Sequence, residues 1–257
     1  MGKEVSRMPR QESVKGIVLR VVPTGDGNNL LTVLTGNRGK ITVSAPGSRS
    51  VSSQRHAICQ PFSYGELFIT ERKADRWYLK EGTPEETFYP LREDLARFAL
   101  AGYIADVTLQ VATEEEEQED LLRLLLNTLY VLCYRDKPIW FVKAVFEWRL
   151  AAIIGFEPDL FSCMECGKTE PPFAFVIEEG QLICTECMLK EGAPPAHPLD
   201  VSLPLLRSLL RVPLQKLYSF EADEMLKWEM SSLCEKHLLS HLERTPSTLQ
   251  FYRSVGE

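Results

Sequence analysis

The sequence predicts an α+β multidomain protein, in which an N-terminal five-stranded β-barrel of the OB type precedes an all-α domain with an embedded four-cysteine zinc finger. Three observations support this prediction. Short β-rich runs separated by turns fill the N-terminal third, helical periodicity begins at Pro90, and two closely spaced cysteine pairs interrupt the helical part. A chain of 257 residues is long enough for two or three such units.

The barrel is predicted over residues 13–82, after a flexible N-terminal arm formed by residues 1–12. Five runs are rich in β-branched or aromatic residues and are bounded by turn residues. They cover residues 14–22, 30–35, 40–45, 62–70 and 76–81. Five short strands without helical periodicity indicate a small closed barrel, for which an OB-type barrel is one solution and an SH3-like barrel is the alternative.

Residues 83–257 are predicted to form the helical domain. After a first helix that follows Pro90, apolar periodicity predicts helices over residues 121–132, 139–154, 205–210 and 222–242. The segment 139–154 is apolar nearly all round, so we expect it at the centre of the helical core. Thr113 and Glu116 have capping-box spacing, which predicts that the acidic run Glu114–Glu117 is a solvated helix N-terminus.

Four cysteines form the most specific motif in the chain. Cys163 and Cys166 make one C-x-x-C pair, and Cys184 and Cys187 make a second pair seventeen residues later. This spacing is typical of a zinc site built from two knuckles, here within about residues 160–192. Four thiolates leave no open coordination position, so the predicted Zn²⁺ is structural rather than catalytic. A redox pair or unligated thiols are the alternatives, and Cys59, Cys133 and Cys234 are expected to be small buried hydrophobic residues.

Known enzyme signatures are missing from the sequence. A zinc deaminase needs a His-x-Glu upstream of Pro-Cys-x-x-Cys, an order that this chain lacks. His237 and His241 have the i, i+4 spacing of a zinc protease, but no Glu lies between them to act as a base, and we expect the pair on a helix surface. There is also no phosphate-binding G-x-x-x-x-G-K-[ST] loop and no G-x-S-x-G elbow. We therefore expect a protein that is not an enzyme.

The distribution of charge favours nucleic acid as a partner of the barrel. The net charge is −7, yet the first eighty residues hold thirteen basic and six acidic residues, so they carry +7 and the remainder carries −14. OB-type barrels bind single strands with a positive groove and aromatic platforms. The basic candidates are Arg20, Arg38, Lys40, Arg49 and Arg55. The aromatic candidates are Phe62, Tyr64, Phe68, Trp77 and Tyr78, of which Phe62 and Phe68 are expected inside the barrel.

Several of these features together resemble a known family. The stretches Lys15–Arg20 (KGIVLR), Leu30–Thr35 (LLTVLT) and Arg38–Lys40 (RGK), followed by the four-cysteine motif within an acidic helical part, make the chain similar to the RecO family of recombination mediators. The resemblance covers about residues 14–255. It implies an OB-fold followed by a helical domain with a zinc finger.

The resemblance also implies a function and partners. Members of that family are not enzymes; they bind single- and double-stranded DNA, anneal complementary strands, pair with RecR, contact the single-strand-binding protein and help to load RecA. The basic positions that match are Arg20, Arg38 and Lys40, with Arg49 in the following loop. Val21 and Val22 depart from the family pattern, in which basic residues often continue the first strand, and Pro46–Ser48 are also less basic than expected.

Two other functions stay open from the sequence. The chain could be a zinc-ribbon RNA-binding or transcription-associated adaptor, or a scaffold whose basic barrel contacts acidic proteins. No apolar run approaches the length of a membrane span and the N-terminus lacks the apolar core of a signal peptide, so we expect a cytoplasmic protein. The resemblance further implies a bacterial protein that associates with the nucleoid during repair.

Overall fold

The structure, a computed structural model, describes residues 10–256 apart from residues 26, 74, 75, 200 and 222. The arm predicted over residues 1–12 therefore falls mostly on residues 1–9, which lie outside the described residues. The first strand begins at Gln11, so Gln11 and Glu12 belong to the barrel rather than to an arm.

Five strands form the N-terminal barrel. They are β1 (Gln11–Thr24), β2 (Asn28–Thr35), β3 (Gly39–Ala45), β4 (Tyr64–Lys73) and β5 (Arg76–Glu86). The order β1-β2-β3-β5-β4 closes on itself because β4 also pairs with β1, and β3 pairs with β5 in parallel while the other pairs are antiparallel. The predicted five-stranded barrel of the OB type is confirmed. The barrel extends to Glu86, four residues beyond the expected end.

Alternation along the strands fills the barrel with aliphatic side chains. Leu31 and Val33 of β2 and Ile41 and Val43 of β3 point into the core, while the residues between them point outward. A bulge between Val18 and Arg20 interrupts the pairing of β1 with β2. Bulges increase the bend and twist of a strand, which helps a long strand such as β1 to close a small barrel.

Helices dominate the rest of the chain. After a 3₁₀ turn at Tyr89–Glu93, the main helices are α1 (Leu95–Val111), α2 (Glu119–Tyr134), α3 (Ile139–Ile153), α5 (Leu203–Arg211), α6 (Glu224–Ser240) and α7 (Ser247–Gly256), with a short α4 (Thr185–Met188). The sequence pattern did not predict α7. Ten of the fifteen residues of α3 are buried, which agrees with its expected place in the core. None of the helices in the described part of the chain has the length and apolarity needed to span a lipid bilayer.

A four-stranded sheet interrupts the helices between α3 and α5. Its strands are β6 (Asp159–Cys163), β7 (Phe173–Val176), β8 (Gln181–Cys184) and β9 (His197–Leu199), in the order β6-β8-β7-β9. β7 and β8 form a hairpin, while β6 and β9 add an edge on each side.

By internal contacts the chain divides into two compact units. The first contains residues up to Tyr89 together with Ala112–Leu122, and the second contains Pro90–Val111 and Arg123–Glu257. Residues 112–122 therefore belong with the barrel, although they fall within the range 83–257 that is predicted for the helical domain. We refer to the first as the barrel unit and to the second as the helical unit.

Candidate functional site

The four cysteines of the two C-x-x-C pairs come together in the helical unit. Their sulfur atoms all lie within 4.8 Å of one another, and the Sγ atoms of Cys166 and Cys184 are 3.7 Å apart. Cys163 ends β6, Cys184 ends β8, and Cys187 lies in α4, which follows β8 directly. Because β6 and β8 run parallel, their final residues reach the same edge of the sheet. The cysteines are close enough to hold a metal ion.

Backbone hydrogen bonds shape the first cysteine pair into a knuckle. The amide of Cys163 donates to the Lys168 carbonyl at 2.8 Å, and the amide of Gly167 donates to the Cys163 carbonyl at 2.9 Å. Gly167 has φ +72°, a conformation that disfavours residues with a side chain. The amide of Met164 donates to the Leu182 carbonyl at 2.7 Å, which joins this knuckle to β8.

The thiols of this cluster have unequal acidity. Burial raises the pKa of Cys163, but hydrogen bonds from the amides of Cys184, Cys166 and Glu165 lower it by more, to about 6. Burial and the neighbouring thiols raise the pKa of Cys187 to about 12. The ammonium of Lys190 donates to the Cys187 sulfur at 3.3 Å. A cation among the four sulfur atoms would stabilise their thiolate forms.

The remaining cysteines and the histidine pair lie outside the four-cysteine cluster. Cys59 and Cys234 are buried, as expected, and Cys133 is half-buried. The expectation that His237 lies on a helix surface is wrong, because its side chain is buried. Its Nδ1 lies 2.9 Å from the Ile177 carbonyl oxygen and its Nε2 lies 3.1 Å from the Phe156 carbonyl oxygen. Both nitrogens face backbone carbonyl groups, so His237 anchors α6 to the β7–β8 turn rather than forming part of a protease-like site.

Two of the predicted DNA-binding arginines are exposed on the barrel unit. Arg20 follows the bulge of β1 and pairs across strands with Thr32. Arg49 lies in the loop between β3 and β4, and its amide donates to the Gly27 carbonyl at 3.2 Å. This bond places Arg49 beside the β1–β2 turn. Both side chains can therefore approach a phosphate from solvent.

The other three predicted basic residues are half-buried. The guanidinium of Arg55 donates to the Pro46 carbonyl at 2.9 Å, so this side chain ties down its own loop. Arg38 pairs with Glu12, pairs with Glu115 at 2.9 Å, and lies over the indole of Trp77 at 4.8 Å. Burial lowers the pKa of Arg38, and the two carboxylates raise it by more. Lys40 lies at the start of β3, where its amide donates to Thr113.

An acidic segment outside the barrel strands explains why Arg38 is engaged. We call residues 113–118 the acidic strap, because they include Glu114–Glu117 and lie along the β2–β3 turn. Lys40 donates to the Thr113 carbonyl at 2.7 Å, Glu115 donates to Arg38 at 3.1 Å, and Gln118 donates to Gly36 at 2.7 Å through backbone groups. A Cβ on Gly39 would collide with the Thr113 carbonyl oxygen. The expectation of a helix N-terminus over Glu114–Glu117 is therefore wrong, since α2 begins at Glu119.

The aromatic candidates divide differently from the sequence expectation. Phe62 is buried, as expected, but Phe68 is 43% exposed on β4, so its expected interior place is wrong. Trp77 points into the barrel core, while Tyr78, the next residue of β5, points outward and is half-buried. Arg76, at the start of β5, is an exposed basic residue that is not among the predicted DNA-binding residues. The parallel pairing of β5 with β3 places Arg76 and Tyr78 beside the outward-pointing residues of β3. That pairing has no local sequence signal.

Comparisons with known proteins indicate one family along nearly the whole chain. A family profile described as "Recombination protein O N terminal" matches residues 8–88, and one described as "Recombination protein O C terminal" matches residues 92–250. Among relatives named "DNA repair protein RecO", that of Desulforudis audaxviator is 32% identical over 252 residues, covering 96% of this chain and 98% of the relative. The relative from Acetivibrio thermocellus is 28% identical over 249 residues, covering 93% and 95%. The relative from Bacillus pumilus is 31% identical over 225 residues, covering 87% and 86%.

Proposed function

Because the chain belongs to the recombination protein O family, whose members serve DNA repair, we propose that it is a DNA-binding recombination mediator that works without catalysing a chemical reaction. It binds single- and double-stranded DNA, promotes the annealing of complementary strands and, with RecR, helps to load RecA onto DNA that is coated with single-strand-binding protein. It acts in the bacterial cytoplasm, at the nucleoid during repair.

The observation that carries DNA binding is the pair of exposed arginines on the barrel unit, Arg20 and Arg49. Each phosphate that such a residue neutralises releases condensed counterions. The logarithm of the binding constant therefore falls linearly with the logarithm of the salt concentration. Holding two strands on one protein raises their local concentration, which speeds annealing without any bond-breaking chemistry.

The test is fluorescence anisotropy with a labelled single-stranded oligonucleotide at about 50 and about 200 mM salt. The variant Arg20→Glu/Arg49→Glu should lose affinity and show a shallower salt dependence. The matched control Lys216→Glu/Lys236→Glu changes the net charge equally at two exposed positions of the helical unit. Affinity that hardly changes with salt, or equal losses in both variants, would contradict a phosphate site on the barrel unit.

We further propose that Cys163, Cys166, Cys184 and Cys187 hold a structural Zn²⁺. Their pairing as two knuckles and their mutual distances suit a tetrahedral ion, and four thiolates would fill its coordination. A bound Zn²⁺ would supply charge neutralisation and a covalent-like cross-link between the two knuckles. The chain's own residues, such as Lys190 beside Cys187, would then stabilise the negatively charged centre.

The family match does not favour the alternative of a zinc-ribbon RNA-binding or transcription-associated adaptor. Two tests distinguish the mediator from that adaptor. One measures strand annealing by fluorescence energy transfer between complementary labelled oligonucleotides, and the other measures capture of RecR. If the barrel instead contacts acidic proteins as a scaffold, an oligonucleotide should fail to compete with those proteins.

A further inference from the structure

The outer face of the barrel unit carries two rows of aligned side chains. In the first row, Arg20 pairs with Thr32 and Thr32 pairs with Thr42. In the second row, four residues are aligned across β1, β2, β3 and β5, namely Val22, Leu30, Ser44 and Tyr78. Val43 pairs with Trp77 in parallel register, which continues the first row from Thr42 to Arg76. With about 4.8 Å between strands, Arg20 and Arg76 stand at opposite ends of a strip about 14 Å wide.

A cleft of about 380 Å³ opens on this strip, around Tyr78. Its lining residues are Leu30, Thr42, Ser44, Arg76, Trp77 and Tyr78. Tyr78 offers a half-buried aromatic ring, Leu30 is 38% exposed, and Arg76 is exposed at the edge. The hydroxyl groups of Thr42 and Ser44 lie between them, and a hydroxyl group can either donate or accept a hydrogen bond.

This combination suits a flat, polar, aromatic group that is attached to an anion. We propose that the cleft holds one unpaired base of a single-stranded nucleic acid, stacked on Tyr78, while Arg76 contacts a neighbouring phosphate. The inference rests on the proposed function and adds to it a site that selects single strands. In a duplex each base face is covered by its neighbours, so only an unpaired base can stack on the ring. Because a hydroxyl group can serve any base edge as donor or acceptor, the site tolerates different bases.

Two other aromatic residues of the barrel unit are less suited to this role. The Trp77 ring is 7% exposed and has the Arg38 guanidinium over it at 4.8 Å. Phe68 lies in a second cleft of about 350 Å³, where Glu12 and Glu81 accompany Lys80 and would repel a phosphate. Phe68 therefore provides a matched control, since it is an exposed ring on the same barrel in a cleft of similar size.

The experiment compares Tyr78→Leu with Phe68→Leu in the full-length protein. The probes are a labelled oligothymidylate of about 16 nucleotides, near the upper site size of one OB fold, and a duplex of the same length. Tyr78→Leu should weaken binding of the single strand by about 5- to 150-fold, the equivalent of one stacked base, and leave duplex binding unchanged. Phe68→Leu should change neither affinity, and Tyr78→Phe should keep the affinity of the unmodified protein.

Two further measurements report on the ring and the arginine separately. A 2-aminopurine base in the single strand should be quenched on binding to the unmodified protein and not on binding to Tyr78→Leu. Arg76→Gln should lower the salt slope of single-strand binding by about 1 and keep the quenching. Equal losses for single strand and duplex in Tyr78→Leu, or an unchanged single-strand affinity, would overturn the base site while leaving the proposed function intact. Failure of the unmodified protein to bind DNA would overturn both.

Discussion

Arg38 shows how a basic residue that matches the family pattern can already be engaged within its own chain. Its guanidinium contacts two carboxylates and an indole ring, and the arginine side chain is only 13% exposed. Glu12 belongs to β1, which is part of the barrel, whereas Glu115 belongs to the acidic strap and its side chain is 73% exposed. A phosphate can therefore compete for Arg38 only on the side of Glu115.

Replacing Glu115 should consequently strengthen DNA binding. In Glu115→Gln the carboxylate charge is removed while the backbone bonds of the strap remain, and Arg38 gains freedom to contact a phosphate. An exposed ion pair contributes about 0.5–1 kcal/mol, so we expect a gain of about 2- to 5-fold in affinity for single-stranded DNA at low salt. Anisotropy titration measures it, with Glu170→Gln in the helical unit as the charge-matched control. An unchanged affinity would show that Arg38 does not meet DNA.

A buried charge network is the most demanding residue-scale feature of the helical unit. The Lys143 ammonium lies 2.8 Å from Glu147 and 2.7 Å from Glu235, and the Tyr103 hydroxyl donates to Glu147 at 2.7 Å. Burial raises the pKa of Glu147, and Lys143 lowers it by less. These contacts join α1, α3 and α6. Arg253 of α7 also pairs with Glu235, so Lys143 is the cation that contacts both carboxylates and the one that contacts Glu147 among the described residues.

Loss of that cation should destabilise the protein strongly. Lys143→Met leaves the buried Glu147 without its cationic partner, while Glu235 keeps its pair with Arg253, and breaking a buried ion pair costs about 3–5 kcal/mol. Urea unfolding followed by circular dichroism measures the change. Lys227→Met, which removes an exposed pair with Glu224, should cost less than about 1 kcal/mol. Adding Glu147→Gln to Lys143→Met should restore part of the loss; equal stability of the single and double variants would refute the electrostatic explanation.

At the scale of elements, a local sequence pattern predicts the cysteine knuckles correctly and the acidic strap incorrectly. The knuckles are specified by spacing alone, because two residues between paired cysteines let both sulfurs face the same point. The strap has the spacing of a capping box, yet Thr113 and Glu115 form backbone hydrogen bonds with the β2–β3 turn instead of starting a helix. Gly39 permits this close approach, because a Cβ there would meet the Thr113 carbonyl oxygen, and the glycine does not signal its partner in the sequence.

The cysteine cluster predicts how the β6–β9 sheet responds to loss of the proposed metal. Cys184→Ser should abolish bound zinc and reduce hydrogen-exchange protection in β7 and β8, because Cys184 ends β8 and its amide donates to the Cys163 sulfur at 3.3 Å. Zinc per chain is measured by elemental analysis of the purified protein. Cys133→Ser, a half-buried cysteine outside the cluster, should keep the zinc and the protection. Absence of zinc from the unmodified protein, when its expression culture is supplied with zinc, would contradict the proposal.

For the whole molecule, the predictions that succeeded depend on periodicity and spacing. The five strands of the barrel, the apolar helix α3 and the paired cysteines each follow from residues within one segment. The burial of His237 is a failure of another kind, because it follows from the contact of α6 with Phe156 and Ile177, which the neighbours of His237 along the chain do not encode. The outward position of Phe68 had a local signal, since residues two apart in a strand share a face and Phe68 therefore lies on the side of Glu66.

The division of charge leads to the last prediction, which separates local charge from net charge. The protein carries −7 overall, and a protein of that charge should repel DNA if only the total mattered. Exposed charges are screened beyond about 8 Å at physiological ionic strength, however, so binding should depend on the charges next to the phosphates. Glu178 and Glu179 are exposed in the β7–β8 turn of the helical unit.

Changing both glutamates to lysine shifts the net charge by four, as much as Arg20→Glu/Arg49→Glu shifts it in the opposite direction. At about 150 mM salt we expect the glutamate variant to keep the single-strand affinity within about 2-fold, because its new charges lie outside the proposed site. The arginine variant should lose about 10-fold or more, since each reversal removes a phosphate contact and adds a repulsion. Anisotropy titrations of both variants with the same oligonucleotide measure the two effects. If affinity followed net charge, the glutamate variant would instead gain as much as the arginine variant loses, and the barrel unit would have no special part in binding.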